Sequence, residues 1–522
     1  MRSVFAVIVL YLFGIFSPYF IPAMNQFDPH LGPIPFTVWW SIMLVAVFCV
    51  CLYIGIGKGY DKTAVSKSRG YFIGNGTPYF ILFFTTVASW FSTWIFMGAP
   101  GSFYKNGVGW VAGMTWQVII IVLMGYFGPK FWRIGRDRGY ITPADMMDDF
   151  YESRPLRFSV SISQIVFAVP NLLAQVVGVG SAMSILTGGL LPVWAGCLYA
   201  ALLVGVYVYF GGFKSQAWVD TAQAFMFVII LWGSVFIMLR NPAVGGMQQM
   251  FHVLETANDN VMQFFTDNSH FWTWKMYISF FIAQAFGGMF APYVVQRMYA
   301  AKDGKTIVKM AGTLAPFYTL VLLLPAMLIG FAGRAMGVDV ANADNILVTV
   351  KSTYSPLFCI LVVIGILAAG MSTISSLLVT STSIISIDIV KTLKKNIDDK
   401  TLRNIGRFTT VAMLVLSVLY SRMSIPGIAT LMNMSIAGFS QAFWPSLGLF
   451  WKRASKQGAF WGYTVGVILV AVLYFGGINF LGFTGGFWGF IVNGIIFTTV
   501  SLCTKPVGQA HRAETLGNIA AE

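Results

Sequence analysis

The chain has 522 residues, of which 57% are hydrophobic and only 10% charged, and its formal net charge is +14. A soluble protein of this length needs far more charge to cover its surface, so the composition excludes a soluble globular fold and points to a polytopic membrane protein.

About 20 apolar residues cross the ~30 Å hydrocarbon core. On that measure the sequence predicts an all-α membrane protein of about fourteen spans, centred near residues 13, 47, 90, 118, 170, 200, 229, 285, 322, 370, 412, 438, 466 and 494. The first, VFAVIVLYLFGIF, follows Met-Arg. With one basic residue ahead of it and no A-x-A site behind, it reads as a retained helix rather than a cleaved signal peptide. The third span carries WIFMGAPGSFY (94–104) and the eighth AFGGMFAPYV (285–294). Gly and Pro there free backbone groups at a cost of several kcal/mol each, unless something polar meets them. Interrupted spans at corresponding places in two halves point to a transporter built of inverted repeats. Here each opens a block of five spans, 78–239 and 272–451, although Gly and Pro are also common in ordinary membrane helices.

Two uncharged runs, Phe158 to Phe213 and Gln457 to Thr504, are too long for one helix each, and TGGLLP (187–192) and GGINFLGFTGG (476–486) supply the breaks. Asp220 is the sole acidic residue well inside the window from Phe158 to Leu239. An ionisable group at that depth is costly and is a functional candidate by default, with interfacial pairing to Lys214 as the alternative. The longest external loop, about residues 241–271, is expected to fold over the outer face. In the tenth span, Ser372, Thr373, Ser375, Ser376, Thr380 and Ser381 crowd the middle of an uncharged run. Ala369, Ser372, Thr373 and Ser376 share one helix face by their i, i+3, i+4, i+7 spacing. Hydroxyl and carbonyl oxygens are hard donors able to replace an alkali cation's water shell. The same groups also bond back to the preceding turn or join helices to one another. The tail after Cys503 is short, which predicts no attached signalling domain.

Loops numbered alternately place nearly all of the 33 Lys and Arg on one side, with Arg240, Lys275, Arg334, Lys351 and Arg422 on the other. This asymmetry makes the basic loops and the C-terminus cytoplasmic, so the basic balance reports topology and no nucleic-acid partner is expected. The five cysteines form no metal-ligand or disulfide pattern, and no HExxH, GxSxG or GxxxxGK[ST] occurs, which removes the commonest protease, hydrolase and ATPase readings. The chain reads as a transporter, not an enzyme.

ASWFSTWIFMGAPGSFYKNGVGW, GGFKSQAWVDTAQ, APYVVQRMYAAKDGK, AAGMSTISSLL with SIISIDIVK, and LFWKRASKQGAFWG follow one another from about residue 70 to 475. Together they resemble the successive signatures of the sodium:solute symporter family. The resemblance implies a LeuT-like core of five plus five inverted-repeat helices. It divides the chain into two flanking helices and a first cytoplasmic loop (1–70), the transport core (71–455), two C-terminal helices (456–504) and a cytoplasmic tail (505–522). It further implies a principal sodium site at Ala88, Phe91, Ala369, Ser372 and Thr373, with a possible second sodium at Asp220, Ser372, Ser375 and Ser376. A midplane solute site is implied at Gln284, with Gln175, Thr93, Trp94, Phe286, Asn433 and Gln441 as further candidates; each amide could equally join two helices.

Two positions depart from characterised branches. Thr115 stands where sugar-transporting members carry a glutamate, and Trp90 where proline-transporting members carry an aspartate. GAPGSFYKNGVGWV and LFWKRASKQGA are most similar to the pantothenate-transporting branch. With no Lys or Arg expected in a core span, a carboxylate would be met by half-helix N-termini, amides and sodium. The expectation is therefore a sodium-coupled symporter of the inner membrane, importing a small polar solute by alternating access, in a lipid bilayer and in an undetermined oligomeric state. Proton coupling on the same fold, or a passive channel, are the alternatives; a channel would show a repeated filter or charged ring, and none is visible.

Overall fold

The computed structural model describes residues 73, 76–113, 116–257, 261–262, 273–350, 356–394, 396–423 and 428–517. The spans expected near residues 13 and 47, the 1–70 segment and Thr115 lie outside these residues. Among the described residues the fold is all-α, with nine helices long and apolar enough to cross a membrane and two shorter apolar helices, Tyr79–Trp90 and Val193–Val206.

The first half contains α1 (Tyr79–Trp90), α2 (Gly98–Asn106), α3 (Trp116–Arg138), α4 (Pro143–Tyr151), α5 (Arg154–Leu186) and α6 (Val193–Leu239). A further helix, α7 (Gly246–Thr256), precedes the second half. There α8 (Trp274–Phe290) and α9 (Pro292–Ala300) are followed by α10 (Gly304–Ala335), α11 (Pro356–Ser383), α12 (Asp399–Tyr420) and α13 (Ile428–Phe439). Finally α14 (Lys456–Phe475) and α15 (Gly485–Cys503) pack on each other, and α16 (Gln509–Leu516) closes the described chain.

Both expected interruptions exist: the second falls inside AFGGMFAPYV at Ala291–Pro292, whereas the first begins at Phe91–Ser92, just ahead of WIFMGAPGSFY, with a further irregularity inside it at Met97. In the first, α1 stops at Trp90, Phe91 takes φ −100°, ψ 76°, and Ser92 is extended before the chain turns helical again at Thr93–Phe96. A second irregularity falls at Met97, and the GAPG stretch itself begins α2. Gly101 is needed for close approach, because a Cβ there would come within 2.9 Å of the Asp344 backbone. In the second interruption, Phe286, Gly287 and Gly288 are all helical, and the break is the single residue Ala291 (φ −54°, ψ 129°) before Pro292. Proline disfavours the helical conformation in the residue ahead of it and suits the first position of a new helix. Gly287 and Gly288 instead let α8 press against the Ile436 backbone and the Ile120 side chain.

TGGLLP and GGINFLGFTGG separate helices as expected. Lys214, expected in a loop, lies instead within α6, whose helical pattern is unbroken over 47 residues and joins the apolar stretches Val193–Val206 and Gln216–Leu239. Part of the 241–271 segment packs on the body: α7 buries Met250, Phe251 and Leu254, and Phe251 meets Phe331 edge-on.

On the opposite face, α4 begins with a reciprocal cap. Thr142 Oγ1 accepts from Asp145 N–H at 3.2 Å while Asp145 Oδ2 accepts from Thr142 N–H at 3.1 Å, with Pro143 in the first turn. This fixes two acidic side chains beside Arg157 at the start of α5. Arg157 donates to Asp145 (2.6 Å), Asp148 (2.9 Å) and the fully buried Asp388 (2.9 Å), which lies in a π-helical extension of α11, Ile384–Val390. One guanidinium thus joins α4, α5 and α11.

Candidate cation and solute site

The hydroxyl stripe of α11 is buried throughout: Ser372, Thr373, Ser375, Ser376, Thr380 and Ser381 are each at most 3% exposed. Its successive turns serve different partners. At the upper turn, Ser372 Oγ lies 2.7 Å from Ala88 O and 2.9 Å from Ala369 O. Thr373 Oγ1 lies 3.2 Å from Ser89 O, 3.4 Å from Ala369 O and 3.5 Å from Ala88 O. Ala88, Ala369, Ser372 and Thr373 are therefore brought together as the sequence predicted, and Ser89 joins them through its carbonyl. Phe91 sits at the break one turn further on, outside helical geometry, so its carbonyl lies beyond the regular ladder of α1.

The break leaves donors at the start of the Thr93–Phe96 turn that must be met. Gln175 of α5 meets two: its Oε1 accepts from Thr93 N–H at 3.0 Å and from Thr93 Oγ1 at 2.8 Å, while its Nε2 donates to Asn171 Oδ1. Thr93 and Gln175 thus fasten the interruption. Gly370 makes room for this contact, since a Cβ there would stand 2.8 Å from the Thr93 methyl group.

One turn further along α11 the structure corrects an expectation. Arg297, counted in the sequence among cytoplasmic basic residues, is 1% exposed and lies on the half-helix α9 within the core. Its Nη2 donates to Ser376 Oγ (2.8 Å), to Ser89 Oγ, to Thr85 Oγ1 (3.2 Å) and to Asp220 Oδ2 (3.4 Å). Asp220, fully buried, also accepts from Thr85 Oγ1 (2.8 Å), Gln216 Nε2 (3.2 Å) and Ser375 Oγ (3.3 Å). Asp220, Ser375 and Ser376 do assemble, and a guanidinium is among them. Lower still, Thr380 Oγ1 donates to Gln296 Oε1 at 2.8 Å, so Gln296 and Arg297 hold α9 to adjacent turns of α11.

Next to the interruptions lies a cavity of about 50 Å³ lined by Trp90, Phe91, Trp94, Trp110, Trp116, Gln117, Ile120, Gln284, Tyr293, Met432, Asn433 and Ile436. Gln284 Nε2 donates to Asn433 Oδ1 at 2.5 Å, which pairs the two amides across α8 and α13. Trp94, Gln284 and Asn433 therefore share this wall, whereas Phe286 and Gln441 do not. The Phe286 ring packs on Phe443 and Phe490, centroids 4.4 and 4.9 Å away. Gln441 binds Ala437 O and Ser440 and receives Asn493 of α15, which makes it a link between helices. Trp90, singled out above as a departure from the proline-transporting branch, also lines this wall; Trp110, Trp116 and Tyr293 went unnoticed in the sequence, because an aromatic in an apolar helix carries no signal of its direction.

A family model described as "Sodium:solute symporter family" matches residues 71–466. The sodium/pantothenate symporter of Escherichia coli (strain K12) is 30% identical over 458 residues, covering 84% of this chain and 90% of that protein. The osmoregulated proline transporter OpuE of Bacillus subtilis (strain 168) is 28% identical over 460 residues, covering 84% and 89%. In fold, the chain is similar to a Na+-coupled sialic acid symporter in a substrate-bound outward-open state. That match has a TM-score of 0.71 at 18% identity and covers 91% of this chain and 98% of the other. MhsT in complex with L-phenylalanine gives a TM-score of 0.56 at 14% identity, covering 82% and 99%. The fold is LeuT-like, and its relatives are transporters rather than enzymes. Interrupted helices, a hydroxyl cradle at their crossing and the match over most of the core agree: the chain belongs to the sodium:solute symporter family, multi-pass membrane proteins that couple sodium to the symport of small solutes.

Proposed function

We propose that this symporter imports a pantothenate-like solute, with one sodium held by Ala88 O, Ala369 O, Ser372 Oγ and Thr373 Oγ1. The observation that carries the reading is the convergence of these oxygens at the interruption of α1. Ser89 O and the carbonyl of Phe91 are the next candidates to complete the shell. In this arrangement the hydroxyl hydrogens point to carbonyls. A cation entering between them takes the oxygen lone pairs and ties α1 to α11.

The solute lies in the aromatic-walled cavity. Paired amides of Gln284 and Asn433 offer both donors and acceptors, and among the described residues that line the wall none is charged. That chemistry suits a molecule with hydroxyl and amide groups, while its carboxylate is met by sodium. At about 50 Å³ the cavity is far below the ~300–1,000 Å³ of open ligand sites. Binding therefore accompanies opening to one side, as alternating access requires. The excess of Lys and Arg in one set of loops supports a cytoplasmic C-terminus in an inner membrane. Each sodium supplies ~2.3 kcal/mol per 100 mV and ~1.4 per tenfold gradient, enough together for roughly 500-fold accumulation.

Thermal unfolding of the purified protein tests this assignment, with pantothenate, proline, other carboxylates and sugars added with and without sodium. The reading expects pantothenate to raise Tm, and more so with sodium present. Stabilisation by proline alone, or equal effects without sodium, would contradict it.

A further inference from the structure

The oxygens around Arg297 are arranged about a charge. Its Nη2 carries two hydrogens, yet four oxygens from three other helices surround it. They are Thr85 Oγ1 and Ser89 Oγ of α1, Asp220 Oδ2 of α6 and Ser376 Oγ of α11. Three hydroxyls and a carboxylate in a fully buried pocket form the donor set that a hard monovalent cation takes. Arg297 Nη1 donates to Tyr293 O at 2.9 Å and both Asp220 oxygens are engaged, while Arg297 Nε and Gln216 Oε1 are buried without a hydrogen-bond partner. Gln216 Nε2 adds a further donor to both Asp220 and Ser376. A free cation seeking these oxygens would need the same lone pairs as the guanidinium and would meet its like charge.

We propose that Arg297 is the tethered cation of this pocket, taking the place of a second sodium, so that the chain couples a single free sodium to each solute. The inference rests on the reading of Ala88, Ala369, Ser372 and Thr373 as the site of that one ion. Ser89 connects the two levels, since its carbonyl faces Thr373 and its hydroxyl faces Arg297. The tethered charge thereby also fixes a backbone oxygen beside the sodium cradle.

Counting bound radioactive sodium on the purified full-length protein tests this. Wild type is expected to bind one ion per chain. Arg297→Ser, which vacates the pocket and keeps Asp220, is expected to bind two, and Arg297→Ser with Asp220→Asn to return to one. Two ions on the wild type, falling to one in Asp220→Asn, would overturn the tethered-cation proposal while leaving the principal site intact. One ion that persists unchanged in Ser372→Ala and Thr373→Ala would instead overturn the site assignment, and no bound sodium at all would overturn both. If Arg297→Ser does not fold, the wild-type count still decides between one and two.

Discussion

Gln284 shows how far a single residue could be read from the sequence and where the reading stopped. Its place on the cavity wall was legible, because an amide in an apolar span needs a partner and the resemblance supplied a role. The residue itself lies in continuous helix, and the break follows at Ala291. Gln284→Ala is expected to weaken solute binding roughly five- to a hundredfold, the ~1–3 kcal/mol of a lost buried hydrogen bond, while sodium still binds. Binding of solute and of sodium measured separately on the purified variant checks this, and loss of both together would point to a purely structural bond with Asn433. Arg297 was misread for an equally physical reason. Its neighbours Lys302, Lys305 and Lys309 make a basic cluster, and a charge count by loops has no means of seeing that the helix carries on through Arg297 to Ala300.

At the scale of elements, the hydroxyl run of α11 was the most informative feature of the sequence. Its spacing gave the face, and the structure shows why so many hydroxyls are kept: Ser372 and Thr373 face α1, Ser375 and Ser376 face Asp220 and Arg297, and Thr380 faces Gln296. The partners themselves come from chain segments 80–290 residues away, which periodicity does not encode. The same limit hid the junction at Arg157, where three acidic groups from α4 and the end of α11 converge. Removing that cation leaves Asp388, fully buried, with Thr142 as its remaining hydrogen-bond donor. Arg157→Met is therefore expected to cost about 3–5 kcal/mol of stability, seen as a lower Tm of the purified protein. Arg157→Met combined with Asp388→Asn should recover most of the loss. An unchanged Tm in the single variant would show that the junction does not hold these helices together.

For the molecule as a whole, the span pattern and the paired interruptions made an inverted-repeat transporter legible before any contact was known. Of the Gly and Pro in these stretches, Pro292 marks a break, whereas glycines serve packing. Gly287 and Gly288 permit close packing, while the backbone actually leaves helical geometry at Phe91–Ser92 and Ala291. In the proposed function, those two breaks, the cradle of α11 and the amide-lined cavity beside it bind sodium and solute side by side, so that they move together. The most direct test is uptake of labelled pantothenate by proteoliposomes holding the purified protein, under an inward sodium gradient and an interior-negative potential. The account predicts accumulation above the external concentration that disappears without sodium, and a higher sodium requirement for half-maximal uptake in Thr373→Ala. Uptake that only equilibrates, or that proceeds equally without sodium, would contradict it.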